Sequence, residues 1–328
     1  MKLAVVIPYF QRQPGLLYAC VRSVLAQQGA AATQVIVVDD TSPHTGQQEL
    51  AELLPRHPQL QLVLQANAGP GAARNRGLDL VAPDTEVVAF LDSDDTWHPH
   101  LLADALTAFT QPECDLFFAN SNRYGAAQPR FEWKSRSGRQ LLAGEHPALD
   151  ESRGLHLFQG DFFDFAIHRS GIISTSTLAY RFARLPQLRF NTRLFNGQDR
   201  YFKLQLSKVA RRAAFGTRVS ASEGQGVNIF DSSQWGSEKG LTLLLSYIGL
   251  AKLIVDSLVL TAPQRRFVQS QLSASRRNFA LTAVHLWRTH GRLPPQLWRR
   301  AWAADPATLG LFAPNLLLAA LRKLRPAG

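Results

Sequence analysis

The sequence predicts an α/β fold: a mostly parallel sheet flanked by helices, followed by a helical C-terminal region. Three observations predict it. Short β-branched runs alternate with longer amphipathic stretches up to about residue 120. Apolar residues make up 45% of 328, enough to bury a sizeable core. Past about Asp231 strand signals fade and helical spacing takes over.

The strands are expected at Leu3–Ile7, Gln34–Val38, Gln61–Leu64, Val87–Leu91 and Asp115–Ala119. Amphipathic stretches lie around Leu16–Gln28, Gln47–Leu54, Gly71–Val81 and His100–Phe109. Continuous apolar strands joined by helices imply a parallel sheet covered on both faces. Ligands of such sheets sit beyond the carboxyl ends of the strands, so the residues after each strand are the first place to look. From Tyr124 to about Asp150 the pattern fades into a basic, polar excursion with the character of a lid. Regular structure is expected again at Gly171–Tyr180 (strand), Gln198–Lys208 (helix) and Ala213–Val219 (strand). Four helical stretches follow, Leu241–Leu260, Arg265–Arg288, Pro295–Ala303 and Pro314–Leu324. The expected division is a catalytic domain over 1–230 and a helical region over 231–328.

Lys and Arg number 36 against 25 Asp and Glu, a net charge of +11, which favours anionic partners without choosing among them. The two cysteines, Cys20 and Cys114, are far apart and lack metal-ligand spacing, so both are expected as reduced core thiols. Met1–Pro8 reads as a first strand and not as a signal peptide, which sets the expectation of a cytoplasmic protein.

The second strand ends in Val37-Val38-Asp39-Asp40 and the fourth in Phe90-Leu91-Asp92-Ser93-Asp94-Asp95. Five carboxylates at one rim repel one another unless a cation sits among them. A hard divalent ion takes one or two carboxylates and completes its shell with diphosphate oxygens. The plainer alternative is that Asp94-Asp95 cap the next helix and Asp40-Thr41-Ser42 forms a turn. Between these strands lies Asn67-Ala68-Gly69-Pro70-Gly71-Ala72-Ala73-Arg74-Asn75-Arg76-Gly77, a glycine-bearing entry to a helix, with Arg74 and Arg76 offering positive charge near the acidic rim. It lacks the ending of a Walker A loop and does not follow the first strand as a dinucleotide fingerprint does. Pro8-Tyr9-Phe10 stands there, with an aromatic to meet a nucleobase.

Taken in order, Ile7-Pro8-Tyr9, Val37–Ser42, Asn67-Ala68-Gly69 with Ala73–Gly77, and Phe90–Asp95 resemble the signature of family 2 glycosyltransferases of GT-A fold. The resemblance is close over residues 1–120 and weaker to about 220. It implies an inverting enzyme that uses a nucleotide-sugar donor, most often a uridine diphosphate sugar, together with Mg²⁺ or Mn²⁺. It further implies that Pro8 and Tyr9 line the nucleobase pocket, Asp39 binds the base, and Arg74 lies near the nucleotide. Asp92, with Ser93 beside it, falls near the ribose, and Asp94 on the metal. Inverting transfer also needs a base for the acceptor hydroxyl. Relatives carry it in a Glu-Asp pair at a helix start. Here Asn196-Gly197-Gln198-Asp199 puts Gln198 where the Glu stands and keeps Asp199 as the base. The alternative for Asp199 is an N-terminal helix acid favoured by the macrodipole.

Ser174-Thr175-Ser176-Thr177 resembles the hydroxyl run beside the donor sugar, or is an ordinary strand. Relatives often supply a His to the metal, and Glu223–Asn228 holds none, so Glu223 or Asn228 is left to substitute, or diphosphate and water suffice. His98 and His100 read as structural or exposed, given Pro99 between them and their place at a helix start. Leu241–Leu260 is interrupted by Lys252 and Asp256 and reads as a buried helix, not a membrane span. Leu309–Arg325 with Arg299-Arg300 either docks on the core with a solvated basic face or lies on the anionic inner face of the cell membrane. The second arrangement suits a lipid-linked or saccharide acceptor in surface polysaccharide or lipopolysaccharide synthesis. A nucleotidyltransferase would show a basic Gly-rich signature after the first strand, where Pro8-Tyr9-Phe10-Gln11 stands. A nucleic-acid binder needs no carboxylate cluster and has no motif here, so nucleic acid is not an expected partner.

Overall fold

A computed structural model describes residues 1–134, 140–194, 196–227 and 234–323. They divide into two compact units, Met1–Thr192 with Phe202–Val227 and Arg193–Tyr201 with Asn228–Gly328. The expected boundary near residue 230 falls in 228–233, outside the described residues.

The first unit opens with β1 (Leu3–Tyr9), α1 (Leu16–Leu25), β2 (Gln34–Asp39), α2 (Gly46–Glu49), β3 (Leu60–Leu64), α3 (Pro70–Asp79) and β4 (Val87–Phe90). β1 and β4 are buried along their whole length, as expected of strands covered on both faces. β1 runs parallel to both β2 and β4, and β2 to β3. Their carboxyl ends therefore share one edge of the sheet. Tyr9 is level with Asp39 and Val6 with Phe90, which brings the tips after β1, β2 and β4 together. Leu17, Cys20, Val21 and Val24 on α1 are buried in the core cluster against these strands, and both cysteines are buried free thiols.

The chain continues through β5 (Thr96–Trp97), α4 (Leu101–Phe109), β6 (Cys114–Arg123), β7 (Ala148–Asp150), β8 (Leu155–Leu157), α5 (Phe162–Arg169), β9 (Ala179–Tyr180), α6 (Gln198–Val209) and β10 (Arg212–Glu223). The sheet order is β3-β2-β1-β4-β9-β6-β10-β8-β7, with β5 paired to β10. The long ladders are parallel, including β6 with β10, whereas β5, β7, β8 and β9 add short antiparallel pairs.

Several expected elements are corrected. Gly171–Tyr180 is not a strand but two 3₁₀ turns, Ser170–Ile172 and Thr175–Thr177, before the two residues of β9. Thr177 Oγ1 bonds to the backbone in place of a ladder, donating to the Ala119 carbonyl at 2.8 Å. Gln47–Leu54 holds only the short α2, closed by a capping box between Thr45 and Gln48. The excursion after Tyr124 carries 3₁₀ turns at Arg130–Glu132 and Ala143–Glu145 and ends in β7, with 135–139 outside the described residues. Between β8 and the Ser170–Ile172 turn the chain forms α5, whose N-cap Asp161 accepts from the Asp164 amide at 2.9 Å.

Helix α3 lies against β1 so closely that a Cβ on Gly77 would stand 2.4 Å from Val6 Cγ1. Gly77→Ala should therefore cost about 1–3 kcal/mol through overpacking. Urea denaturation that matches the parent would show that the helix can back away without loss.

The second unit is helical: α7 (Glu238–Ser257), α8 (Ala262–His290), α9 (Leu297–Ala304), α10 (Ala307–Gly310) and α11 (Phe312–Lys323). Ser237 caps α7, a Thr261–Gln264 capping box starts α8, and Gly291 in the left-handed region ends it. Leu241, Leu245, Ile248, Ala251 and Ile254 put one buried stripe along α7 at helical spacing. Among the described residues α7 is the helix long and apolar enough to cross a membrane, by length and composition only.

Candidate active site

The tips of β1, β2 and β4 meet through buried polar side chains. Asp39 Oδ1 accepts from the Ser42 amide and Oδ2 from the Gly46 amide, both at 2.7 Å. Asp40 Oδ1 accepts from the Ala68 amide and Oδ2 from the Gly69 amide, both at 2.8 Å, and Gln65 Nε2 donates to Oδ1 at 2.7 Å. Two of the five expected rim acids are thus buried and held by backbone N–H groups. Asp40 fastens the glycine-bearing entry of α3 to the tip of β2. The turn between them puts Thr41, alone among described non-glycine residues, at a positive φ of 61°. Such a conformation persists only where its surroundings hold it, and Thr41 Oγ1 donates to the Gln65 carbonyl at 2.8 Å.

The other three acids behave differently. Asp92 pairs with Arg74, a buried guanidinium that also lies 5.2 Å from the Phe190 ring centre. The Arg74 Nε is buried without a hydrogen-bond partner. Asp94 Oδ2 accepts from the Gly226 amide at 2.8 Å. Asp95 takes the Ser176 hydroxyl and the Gly224 amide, the latter at 2.8 Å. Burial, then the negative charge of Asp92, raises the Asp94 carboxyl above the ordinary aspartate range. Burial, then Asp92 and Asp94, pushes Asp95 well above it. Ionising Asp94 and Asp95 beside Asp92 is costly, and a bound cation would relieve that cost. Among the described residues no group of three or more His, Cys, Asp and Glu could hold a metal ion. A cation at Asp94 therefore has to draw further ligands from substrate oxygens and water, a donor set that hard divalent ions accept.

Residues 223–227 fold over the acidic tip. A Cβ on Gly224 would stand 1.9 Å from the Asp94 carbonyl oxygen, and one on Gly226 2.6 Å from Asp94 Cβ, so both positions need glycine. Gln11, to which the sequence drew no attention, joins three segments. Its Nε2 donates to Ser93 Oγ at 3.1 Å, its Oε1 accepts from the Val227 amide at 2.9 Å, and its own amide donates to Ser42 Oγ at 3.0 Å. Ser176 was visible only as part of a hydroxyl run. It accepts from the Asp92 amide at 3.1 Å while its carbonyl takes the Trp97 indole N–H at 2.5 Å.

One sequence expectation is refined and two are corrected. Tyr9 is buried, its hydroxyl donating to the His44 carbonyl at 2.6 Å, and burial pushes its pKa up to about 12, so Phe10 is the half-buried ring at this tip. Pro8 is buried beside it. Arg76 is exposed and not brought to the rim with Arg74, because positions two apart on a helix do not share a face. Glu223 is held by Arg130 and by Ser121, whose Oγ donates to it at 2.7 Å, instead of standing open as a metal ligand; Asn228 lies outside the described residues. Burial works against the Glu223 charge, but the Arg130 hydrogen bonds and charge prevail and hold its carboxyl below the ordinary range. His98 and His100 contact Ser222 and Ser220 on β10 at 3.2 and 3.1 Å.

Glu223→Gln should cost about 3–5 kcal/mol at neutral pH, since it leaves the Arg130 charge without its partner. A carboxyl held low lends stability above the ordinary glutamate range and loses it as pH falls through the lowered value, so the difference from wild type should shrink in acid. Chemical denaturation at both pH values reads this, and a gap that widens in acid refutes the pairing.

Asp199 and Gln198 stand in the first turn of α6, in the second unit as the contacts divide it, after Gly197 at φ 85°. A Cβ on Gly197 would meet Leu250 at 2.6 Å, which keeps that entry glycine.

A sheet of this topology, with acids gathered at the carboxyl tips of its parallel strands and a helical region after it, defines a glycosyltransferase of GT-A fold. Residues 4–176 match the family described as Glycosyl transferase family 2. The chain belongs to that family, and it is a transferase enzyme. It is 32% identical over 241 residues to the succinoglycan biosynthesis protein ExoW of Rhizobium meliloti, covering 70% of this chain and 71% of that protein. It is 30% identical over 206 residues to the amylovoran biosynthesis glycosyltransferase AmsB of Erwinia amylovora, covering 61% and 62%. Among solved structures it is similar to S. aureus TarS 1–349 in complex with UDP-GlcNAc, at a TM-score of 0.58 and 17% identity over 94% of this chain and 80% of that one. It is also similar to the mannosyltransferase PcManGT of Pyrobaculum calidifontis in complex with GDP-Man and Mn²⁺, at 0.52 and 16% over 98% and 84%.

Proposed function

We propose that this enzyme moves a sugar, with inversion, from a nucleoside-diphosphate donor to an acceptor hydroxyl during synthesis of a surface polysaccharide, in the cytoplasm and with Mg²⁺ or Mn²⁺. The observation that carries the reading is the trio Asp92, Asp94 and Asp95 beside a buried Arg74. The charges of Asp94 and Asp95 are disfavoured, and Asp92 pairs with a guanidinium that has donor capacity left over. The polysaccharide setting is supported by the names of ExoW and AmsB. A uridine diphosphate donor is supported by the TarS complex, and a manganese ion by that of PcManGT.

In this reading Asp39, at the tip of β2, meets the base, with Pro8 and Tyr9 as the buried floor beneath it. Arg74, Asp92 and Ser93 hold the nucleotide, and Asp94 holds the cation. When bound, the cation supplies positive charge to the departing diphosphate. Asp199 accepts the proton of the acceptor hydroxyl as its oxygen bonds to the anomeric carbon and the bond to diphosphate breaks. A panel of nucleotide sugars incubated with Mn²⁺ tests this by donor hydrolysis. One donor should be cleaved, with activity lost to chelator and restored by metal. No cleavage or binding across the panel sinks the reading.

A further inference from the structure

The chain's positive charge is not spread evenly. Residues 257–328 hold eleven Arg and Lys against one acid, Asp305, so ten of the eleven net charges lie there. Asp305 is itself buried and held by Arg276, which removes the one acid from that surface. A basic, acid-free region following a nearly neutral one marks a contact with something anionic.

The same region exposes large apolar side chains. On α9, Leu297 and Ala301 are buried on one face, while Trp298 and Trp302, one turn apart, are 41% and 60% exposed. Arg299 and Arg300 beside them are exposed too. On α11 Asn315 is buried, while Leu317 and Leu318, and Leu311 just before the helix, are 64%, 51% and 40% exposed. Leu311, Pro314 and Leu318 recur at helical spacing and form a stripe. The Trp298 and Phe312 rings pack 5.4 Å apart edge to face, which joins α9 to the start of α11.

We propose that the face built by α9 and α11 docks on a bilayer that carries anionic headgroups. Tryptophan and leucine facing out, with arginines between them and no exposed acid, are what a helix lying in the interface presents. Each arginine adds attraction to an anionic leaflet, and the apolar stripe gains by leaving water. Nucleic acid would satisfy the arginines but leave the leucines of α11 in water. The face lies in the second unit and uses none of the residues assigned to the donor. It deepens the proposed function only in placing the acceptor on a lipid.

Co-sedimentation of the full chain with phosphatidylcholine vesicles, with and without phosphatidylglycerol, tests the proposal. Wild type should pellet with the anionic vesicles and stay soluble with the neutral ones. Trp302→Ser with Leu317→Ser and Leu318→Ser should lose about tenfold or more in affinity. Arg299→Gln with Arg300→Gln should lose on the order of tenfold at low salt, and less as salt screens the remainder. Donor hydrolysis in free solution should be unchanged in both variants, which separates this test from the catalytic reading. The proposal fails if anionic vesicles do not retain wild type, if the apolar variant binds them as well as wild type does, or if a DNA duplex binds both equally well and displaces the vesicles.

Discussion

Asp199→Asn is expected to lower sugar transfer by about 10²–10⁴-fold while nucleotide-sugar binding stays within a small factor of wild type. Asparagine keeps the size and the hydrogen-bonding oxygen but cannot accept a proton at neutral pH, so only the proton-transfer step is removed. The competing role, an acid at the start of α6, makes the opposite division. There the substitution would cost roughly 0.3–1 kcal/mol of stability through the helix dipole and leave turnover intact. Single-turnover transfer and donor titration on one preparation tell these apart. Unchanged turnover with a lowered melting temperature would remove Asp199 from the chemistry. Gln198, in place of the usual acid, cannot take over as base, which makes the loss steeper here than where two acids adjoin.

The second large effect is expected at Asp94, and its sign depends on the cation. The folded protein holds the Asp94 proton more tightly than the unfolded chain does, because burial and Asp92 oppose its charge. Stability therefore falls as pH rises from the ordinary aspartate value to the raised one and stays lower above it. Asn at this position never ionises, and its carbonyl oxygen still accepts from Gly226. Without metal, Asp94→Asn should be at least as stable as wild type at neutral pH, with the gap closing toward acid. With Mn²⁺ and nucleotide diphosphate the order should reverse. Wild type should gain about 2.7 kcal/mol at a hundredfold excess over Kd, and the variant little. Equal gains in thermal unfolding would place the cation elsewhere.

The central strands were legible because β1 and β4 are apolar at every position, a pattern that sheets covered on both faces impose. The acids at their tips were legible for the same topological reason. β5, β7, β8 and β9 were not, since two or three residues carry no measurable period. Arg74 and Asp92 were legible as members of ordered motifs, and the structure joins them in an ion pair. Gln11 was hidden because its importance lies in partners at 42, 93 and 227, which no local window contains. Arg76 went astray through side-chain direction: it is exposed, because a position two along α3 does not share a face with Arg74. Glu223 and Arg130 could not be paired from sequence, because the excursion that brings Arg130 back has no repeating pattern.

The glycines at 224 and 226 bear on how this enzyme could be re-engineered. With no room for even a methyl group against Asp94, side chains at these two positions would push the loop off the acidic tip, so randomising them disturbs the site itself. Diversity aimed at new sugar preferences is better placed at residues 124–128, which are exposed and precede the Arg130 that holds Glu223.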